Sequence, residues 1–548
     1  MALSLLLSLY VLLGAAANEN SPRTQKCETS IFTAPIVPGA EVLSIIAEEK
    51  RDIDTPAVPP SIPALSGLNF CEVKVYLTHP GANDKVLIQT WLPLSHDLWN
   101  GRFQATGGGA WTTGMLDIAL APPIVTGYAA SSTDGGHPFD FFSTDWMLNE
   151  DKSVNWDLVY NFGTRSLADE VHVGKNVAEQ FYGRKPDYSY WNGCSQGGRQ
   201  GYALAQRYPG LLDGVLAAAP ALKLTNVVLS GIWPIVAMNE AGTLISNCEF
   251  DWFASKALEQ CDILDGGKDG TIGDPEDCVF DPFGLVGQKL TCSGREIKVT
   301  KAMADAVRRI HQGPTTPFGI NYFPGLPFGT PSNVFLNVTV DTNGIRKLND
   351  PAVLDVFPRT ILLKDPNFDV SKVSASDYVA LWVQASEEYG WSFNTDNPDL
   401  SAFRDTGAKL LTWHGITDPI IPYQNTVKYR QRVEREMGGS DAVDEFYRLF
   451  LAPGVQHCGL GPGAIPKDPL ESLIDWVEKG EAPDTLAAET QDHEGYLVTR
   501  ELCRYPRTPK YLGIGDINRA SSWGCEGVDD DKVVQQEVDV ERHLKDEL

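Results

Sequence analysis

Short apolar stretches with the period of β-strands alternate along this chain with amphipathic stretches of helical period, stop for a long interval, and then resume. Val73, Val75 and Leu77 alternate with Lys74 and Tyr76, and residues 86–92 form a second such run beyond a turn with Pro80, Gly81, Asn83 and Asp84. A short strand at residues 103–106 runs into Gly107, Gly108 and Gly109, and another at residues 128–132 runs into Asp134, Gly135, Gly136 and His137. Helical periodicity covers residues 167–182, followed by a strand at 188–191, a helix at 199–207 ending at Pro209, and a strand at 214–219 closed by Pro220. Strands alternating with helices predict an α/β protein with a mainly parallel sheet.

After Lys223 the alternation is lost. Residues 225–399 hold four cysteines, a loop rich in glycine and aspartate, and a stretch at 314–331 rich in proline and aromatic residues. A buried strand at residues 409–413, a helix at 423–437 and a strand at 446–451 then restore the earlier pattern. The expected organisation is a core in two parts, residues 18–224 and 400–527, interrupted by a lid domain at 225–399.

Candidate chemistry sits at the ends of the predicted strands. Gly193-Cys194-Ser195-Gln196-Gly197 is a G-x-S-x-G run between a strand and a helix, a turn so tight that a side chain at either glycine would meet neighbouring backbone. Asp418 follows the strand at 409–413 and His457 follows the strand at 446–451. The order Ser, Asp, His along the chain is that of α/β-hydrolases. In that reading Ser195 is the nucleophile, His457 the base that takes its proton, and Asp418 the group that fixes the imidazole. The oxyanion donors are expected to be the N–H of Gln196 and, from the triple-glycine loop, that of Gly108. Asp134 is a rival for the acid, better suited to ordering its loop; His137 is given a supporting hydrogen-bond role, and His414, placed where it could line the site, reads rather as a satisfied structural histidine.

Composition narrows the class. The 548 residues are 43% hydrophobic with 13 Trp, enough for a large core, and the formal charge of -27 argues against nucleic acid and anionic membranes as partners. An apolar run from Leu3 to Leu13 followed by Gly14 and three alanines reads as a signal peptide over residues 1–17, too short for a membrane span. The ten cysteines then read as disulfides. Cys194 and Cys458, beside nucleophile and base, form one pair; spacing suggests Cys27–Cys71, Cys261–Cys278 and Cys503–Cys525, leaving Cys248 and Cys292 by elimination. Asn337-Val338-Thr339 is a glycosylation sequon. Lys545-Asp546-Glu547-Leu548, ending an acidic tail over residues 528–548, reads as an address for the KDEL receptor and so for the endoplasmic reticulum lumen, with secretion as the alternative.

The chain resembles the tannase and feruloyl esterase family over nearly all of its mature sequence. The resemblance is carried by Cys194-Ser195, Asp418 and His457-Cys458, by residues 99–103, by Gly107–Gly109, by Ser132-Thr133-Asp134 with Gly136-His137, and by the aspartates and glycines after Cys261. It implies an α/β-hydrolase fold with a large inserted lid, and a serine carboxylesterase acting on feruloyl- or galloyl-type esters. It also implies a structural calcium ion held by Asp262, Asp265 and Asp269 with carbonyls of Gly267 and Thr271. A lid over Ser195 would offer Trp233, Tyr322, Phe323, Phe328, Trp382, Tyr389 and Trp391 for holding a phenolic ring. Two other readings stay open: an acyltransferase or esterase in small-metabolite biosynthesis within the endoplasmic reticulum, and a non-catalytic binding protein with an esterase fold.

Overall fold

A computed structural model describes residues 26–58, 62–315, 321–332, 336–341, 343–349 and 355–527. The signal-peptide reading and the tail with its retrieval address lie outside the described residues. Before the insertion come β1 (Glu41–Thr55), β2 (Leu65–Thr78), β3 (Val86–Pro93), β4 (Arg102–Thr106), β5 (Ala129–Thr133), β6 (Tyr188–Cys194) and β7 (Gly214–Ala218). Within the insertion lie two small hairpins, β8 (Lys289–Cys292) with β9 (Arg295–Lys298) and β10 (Val338–Val340) with β11 (Arg346–Leu348). Then β12 (Lys409–Gly415) and β13 (Tyr447–Ala452) rejoin the main sheet, whose nine strands run in the order β1-β2-β3-β5-β4-β6-β7-β12-β13.

The sheet is antiparallel from β1 to β5 and parallel from β5 to β13. The parallel half is covered on both faces, so strands such as β7 are buried at every residue. The strand that apolar patterning misses is β1. Glu48, Glu49, Lys50 and Asp52 are charged and not buried, as befits an edge strand that must not pair with other chains.

The helix after β6 spans Gln196–Arg207, starting three residues earlier than its periodicity shows, because Gly197 and Gly198 carry no side chain to mark a face. Its glycines permit close approach: a Cβ at Gly201 would lie 2.8 Å from Val215 and 2.9 Å from Trp191. In the insertion, helices Asn247–Cys261 and Ala375–Phe393 each begin with a capping box, Ser246 with Glu249 and Ser374 with Asp377. Phe250, Phe253 and Ile310 anchor one core of the insertion. A second cluster, with Tyr378, Tyr389 and Phe393, runs into Trp111 and Phe162 of the main body.

Residues beyond β13 contribute a helix, Pro469–Lys479, and then leave the main sheet. β14 (Ile465–Pro466), β15 (Thr485–Gln491) and β16 (Leu497–Cys503) form a three-stranded sheet, and β17 (Thr508–Tyr511) pairs with β18 (Trp523–Glu526). The five disulfides are Cys27–Cys71, Cys194–Cys458, Cys248–Cys292, Cys261–Cys278 and Cys503–Cys525, matching every expected pairing. Such a set belongs to a chain that folds in the oxidising secretory route. Among the described residues no helix is long and apolar enough to cross a membrane.

Candidate active site

Ser195 occupies the turn between β6 and its helix at φ 63° and ψ -120°, a conformation that a non-glycine residue holds only when its surroundings enforce it. The enforcement is visible. Ser195 N–H donates to the Ala218 carbonyl at 3.0 Å, and its own carbonyl accepts from Arg199 at 3.0 Å and Ala221 at 3.2 Å. A Cβ at Gly193 would lie 2.5 Å from the Gly197 carbonyl, so only glycine fits there.

Asp418 and His457 come from the ends of the adjacent strands β12 and β13. Their loops touch closely enough that a Cβ at Gly415 would lie 2.3 Å from the Val455 carbonyl oxygen. His457 Nδ1 lies 2.7 Å from Asp418 Oδ2, which assigns the proton to Nδ1 and leaves Nε2 as the acceptor. Asp418 is fully buried and also accepts from the amides of Ile420 and Ile421. Burial pushes its carboxyl up, but the charge of His457 and hydrogen bonds from His414 and His457 outweigh this and hold it well below the usual carboxylate range. His414 sits 3.3 Å from Asp418, with its ring nitrogens also satisfied by Thr426 and the Ile421 carbonyl. The Cys194–Cys458 bond joins the neighbours of nucleophile and base. No hydrogen bond joins the Ser195 hydroxyl to His457 among the described residues. Such contacts often tighten only once substrate is bound.

Ser195, Gln196 and His457 line one cavity of about 500 Å³. The rest of its wall is largely apolar, and His457 is its sole titratable side chain among the described residues. Its rings are Trp111, Phe141 and Phe142, from the segment after the triple-glycine loop. Val227 and Val228 supply the insertion's share, Leu224 lines the cavity just before it, and Val58 and Ile62 approach from the β1–β2 connection. None of the seven aromatics expected from the lid reaches this cavity. Tyr389 packs in the insertion's core, while Trp233 and Phe323 line a separate small cavity of about 20 Å³. Sequence reasoning missed Trp111, Phe141 and Phe142; the signal available was the position of Trp111 two residues beyond Gly109.

The oxyanion expectation is corrected at one donor. Gln196 starts its helix and lines the cavity, so its N–H is one of the orphan donors of a helix start. Gly108 cannot supply the second, because its N–H already donates to Gln200 Oε1 at 2.9 Å. Asp134 and His137 are structural. Asp134 accepts from the amides of Leu87 and Gly136, with its carboxyl pushed up to about 6 by burial. His137 stacks on Trp146 and bonds Thr113, and burial brings its pKa down to about 4.

In the acidic loop, Asp262 accepts from the amides of Asp269 and Gly270, and Asp265 from that of Gly267. Asp269 accepts from Thr271 and pairs with Arg500 at 2.6 Å. Among the described residues no three carboxylate, imidazole or thiol side chains converge as a metal cluster. Any cation here would lean on fewer carboxylates and on main-chain carbonyls such as those of Gly267 and Thr271. Asn337, the sequon residue, is exposed.

A mixed nine-stranded sheet carrying Ser195, Asp418 and His457 at its parallel strand ends defines an α/β-hydrolase. The chain belongs to the tannase and feruloyl esterase family, whose sequence profile matches residues 71–526, and it is a carboxylic ester hydrolase. It is 42% identical over 525 residues to a probable feruloyl esterase of Arthroderma benhamiae, covering 95% of this chain and 97% of that protein. It is 30% identical to feruloyl esterase B of Aspergillus niger, covering 80% and 83% of the two chains. Among solved structures, feruloyl esterase B from Aspergillus oryzae superposes with a TM-score of 0.74 at 26% identity, over 90% of this chain and 97% of that one. Tannin acyl hydrolase from Aspergillus niger shares the fold with a TM-score of 0.81 at 23% identity, over 92% and 95%.

Proposed function

We propose that this esterase hydrolyses esters of hydroxycinnamic acids, of the feruloyl type, through an acyl-enzyme on Ser195. The Ser195 hydroxyl oxygen attacks the ester carbonyl carbon as its proton passes to His457 Nε2, while Asp418 holds the Nδ1–H and stabilises the imidazolium. Collapse of the tetrahedral intermediate expels the alcohol, which takes the proton from His457. Water then repeats the sequence, releasing the acid and restoring Ser195.

One observation carries the choice of acid: the cavity beside Ser195 is walled mainly by aromatic and aliphatic side chains, with Gln104, Thr106, Asn192 and Gln196 as the few other polar ones and His457 as its one titratable side chain among the described residues. A methoxylated ring with a single hydroxyl suits such walls. A galloyl ring would bring three hydroxyls, and each one buried without a partner costs about 1–3 kcal/mol. Purified protein should therefore favour methyl ferulate over methyl gallate by at least about tenfold in kcat/KM. Equal rates, or preference for gallate, would overturn the choice.

For the acidic loop the proposal is structural calcium, supported by the carboxylates of Asp262 and Asp265 in one short glycine-rich loop, with Asp269 beside them paired with Arg500. Elemental analysis should find about one calcium per chain, and chelation should lower the melting temperature; no metal and an unchanged melting temperature would dismiss it. The finer localisation is proposed as the endoplasmic reticulum, on the retrieval sequence at residues 545–548. An Asn337 glycan that stays sensitive to endoglycosidase H would agree, and a resistant one would point to secretion.

A further inference from the structure

Gln200 lies on the helix that begins just after Ser195 and is completely buried. Its side chain reaches off the helix into the triple-glycine loop. Oε1 accepts the Gly108 N–H at 2.9 Å, and Nε2 donates to the Thr113 carbonyl at 2.8 Å. This pairing fixes which end of the amide is which, since a flip would set donor against donor and acceptor against acceptor. The loop itself lies backbone against backbone on the nucleophile's turn. A Cβ at Gly107 would be 2.4 Å from Gly197 Cα, and a Cβ at Gly197 would be 2.9 Å from the Gly108 carbonyl oxygen. No other side chain links the loop's amides to this helix by a hydrogen bond among the described residues: Gly107 N–H goes to the Asn192 carbonyl, and Gly109 N–H meets only Thr112 Oγ1, at a long 3.3 Å.

We propose that Gln200 is a positioning residue for ester hydrolysis, and that by taking up the Gly108 amide it presents the next one, Gly109 N–H, as the second oxyanion donor beside Gln196 N–H. The assignment rests on the serine mechanism given above. When Ser195 Oγ bonds to the ester carbon, the carbonyl π pair moves onto oxygen, and that oxygen needs two donors held in place before it forms. Gly109 and Gln196 both line the catalytic cavity. Gly109 is the loop amide with only a long, easily exchanged partner, whereas Gly107 and Gly108 are firmly engaged. Gln200 stands on the same rigid helix as Gln196, so it sets one donor relative to the other.

Two substitutions test this with a readout that a merely structural role would not move. Gln200→Met removes both hydrogen bonds at similar volume; kcat should fall roughly ten- to a hundredfold with KM changed less than about threefold. Inhibition by an arylboronic acid, whose tetrahedral adduct on Ser195 uses the same donors, should weaken in parallel with kcat. Gln200→Glu discriminates by pH. The neutral acid reproduces the amide, accepting from Gly108 and donating to Thr113, whereas the carboxylate turns a second acceptor toward the Thr113 carbonyl. The ratio of Gln200→Glu to wild-type kcat should therefore rise toward one as pH falls. A ratio that stays well below one and flat across pH, or a Gln200→Met enzyme within twofold of wild type in kcat, would overturn the proposal, and if Gln200→Met fails to fold the pH ratio decides alone. Wild-type protein run in parallel separates the two levels: no turnover of any aromatic ester by the wild type would remove the serine mechanism and this assignment with it.

Discussion

Ser195→Ala should abolish ester hydrolysis, by a factor on the order of 10⁴ to 10⁶, because the nucleophile cannot be replaced by any neighbouring group. The fold should not notice the change. The turn that holds residue 195 at positive φ is built from its backbone contacts to Ala218, Arg199 and Ala221 and from the tight packing at Gly193, none of which uses the hydroxyl. The melting temperature should stay within a few degrees of wild type, since the hydroxyl removed is only half-buried and makes no hydrogen bond to His457, a loss worth about 0.5 kcal/mol or less. Retained turnover in a folded Ser195→Ala protein would show that another group carries the reaction.

The second large effect concerns the bond between the neighbours of nucleophile and base. β6 and β13 are separated in the sheet by β7 and β12, so strand pairing alone sets the distance between Ser195 and His457 only loosely. The Cys194–Cys458 disulfide ties the two loops directly. A shift of even an ångström between such groups can cost about a hundredfold in rate. The double variant Cys194→Ala, Cys458→Ala should accordingly lose about two orders of magnitude in kcat/KM while remaining folded at room temperature. Its melting temperature should also fall, since closing so long a loop contributes up to about 5 kcal/mol on the chain-entropy model. A variant that melts lower yet keeps wild-type kcat/KM would reduce the bond to a purely structural role.

The parts of this protein legible in its sequence are those whose cause is local. The nucleophile's turn needs glycines at fixed offsets, and the strand ends bearing Asp418 and His457 are marked by apolar runs that stop at polar residues. Disulfide pairing was legible because most partners are near in sequence and the one distant pair flanks residues that must meet. What was not legible depends on burial. Trp111 and Phe141 look like any core aromatics until the fold shows that they face a cavity, and the insertion's rings look like ligand contacts until they are seen packed in its own core. The Gly108 amide looked free because nothing in a string of letters shows that Gln200, ninety-two positions away, already accepts from it. The charged edge strand β1 escaped for a third reason: its core-facing residues Val42, Ile45, Ala47 and Ile53 are only half-buried and are thrown out of strict alternation by register shifts in its pairing with β2.

Acyl transfer through Ser195 can be observed directly by intact-protein mass spectrometry. A rapidly acid-quenched mixture of enzyme and excess 4-nitrophenyl ferulate should contain protein heavier by one feruloyl group. Digestion with the disulfides reduced should place that group on the peptide containing Ser195. Rapid turnover of the same ester with the added mass on another residue, or with no covalent adduct at any quench time together with full activity of Ser195→Ala, would contradict it.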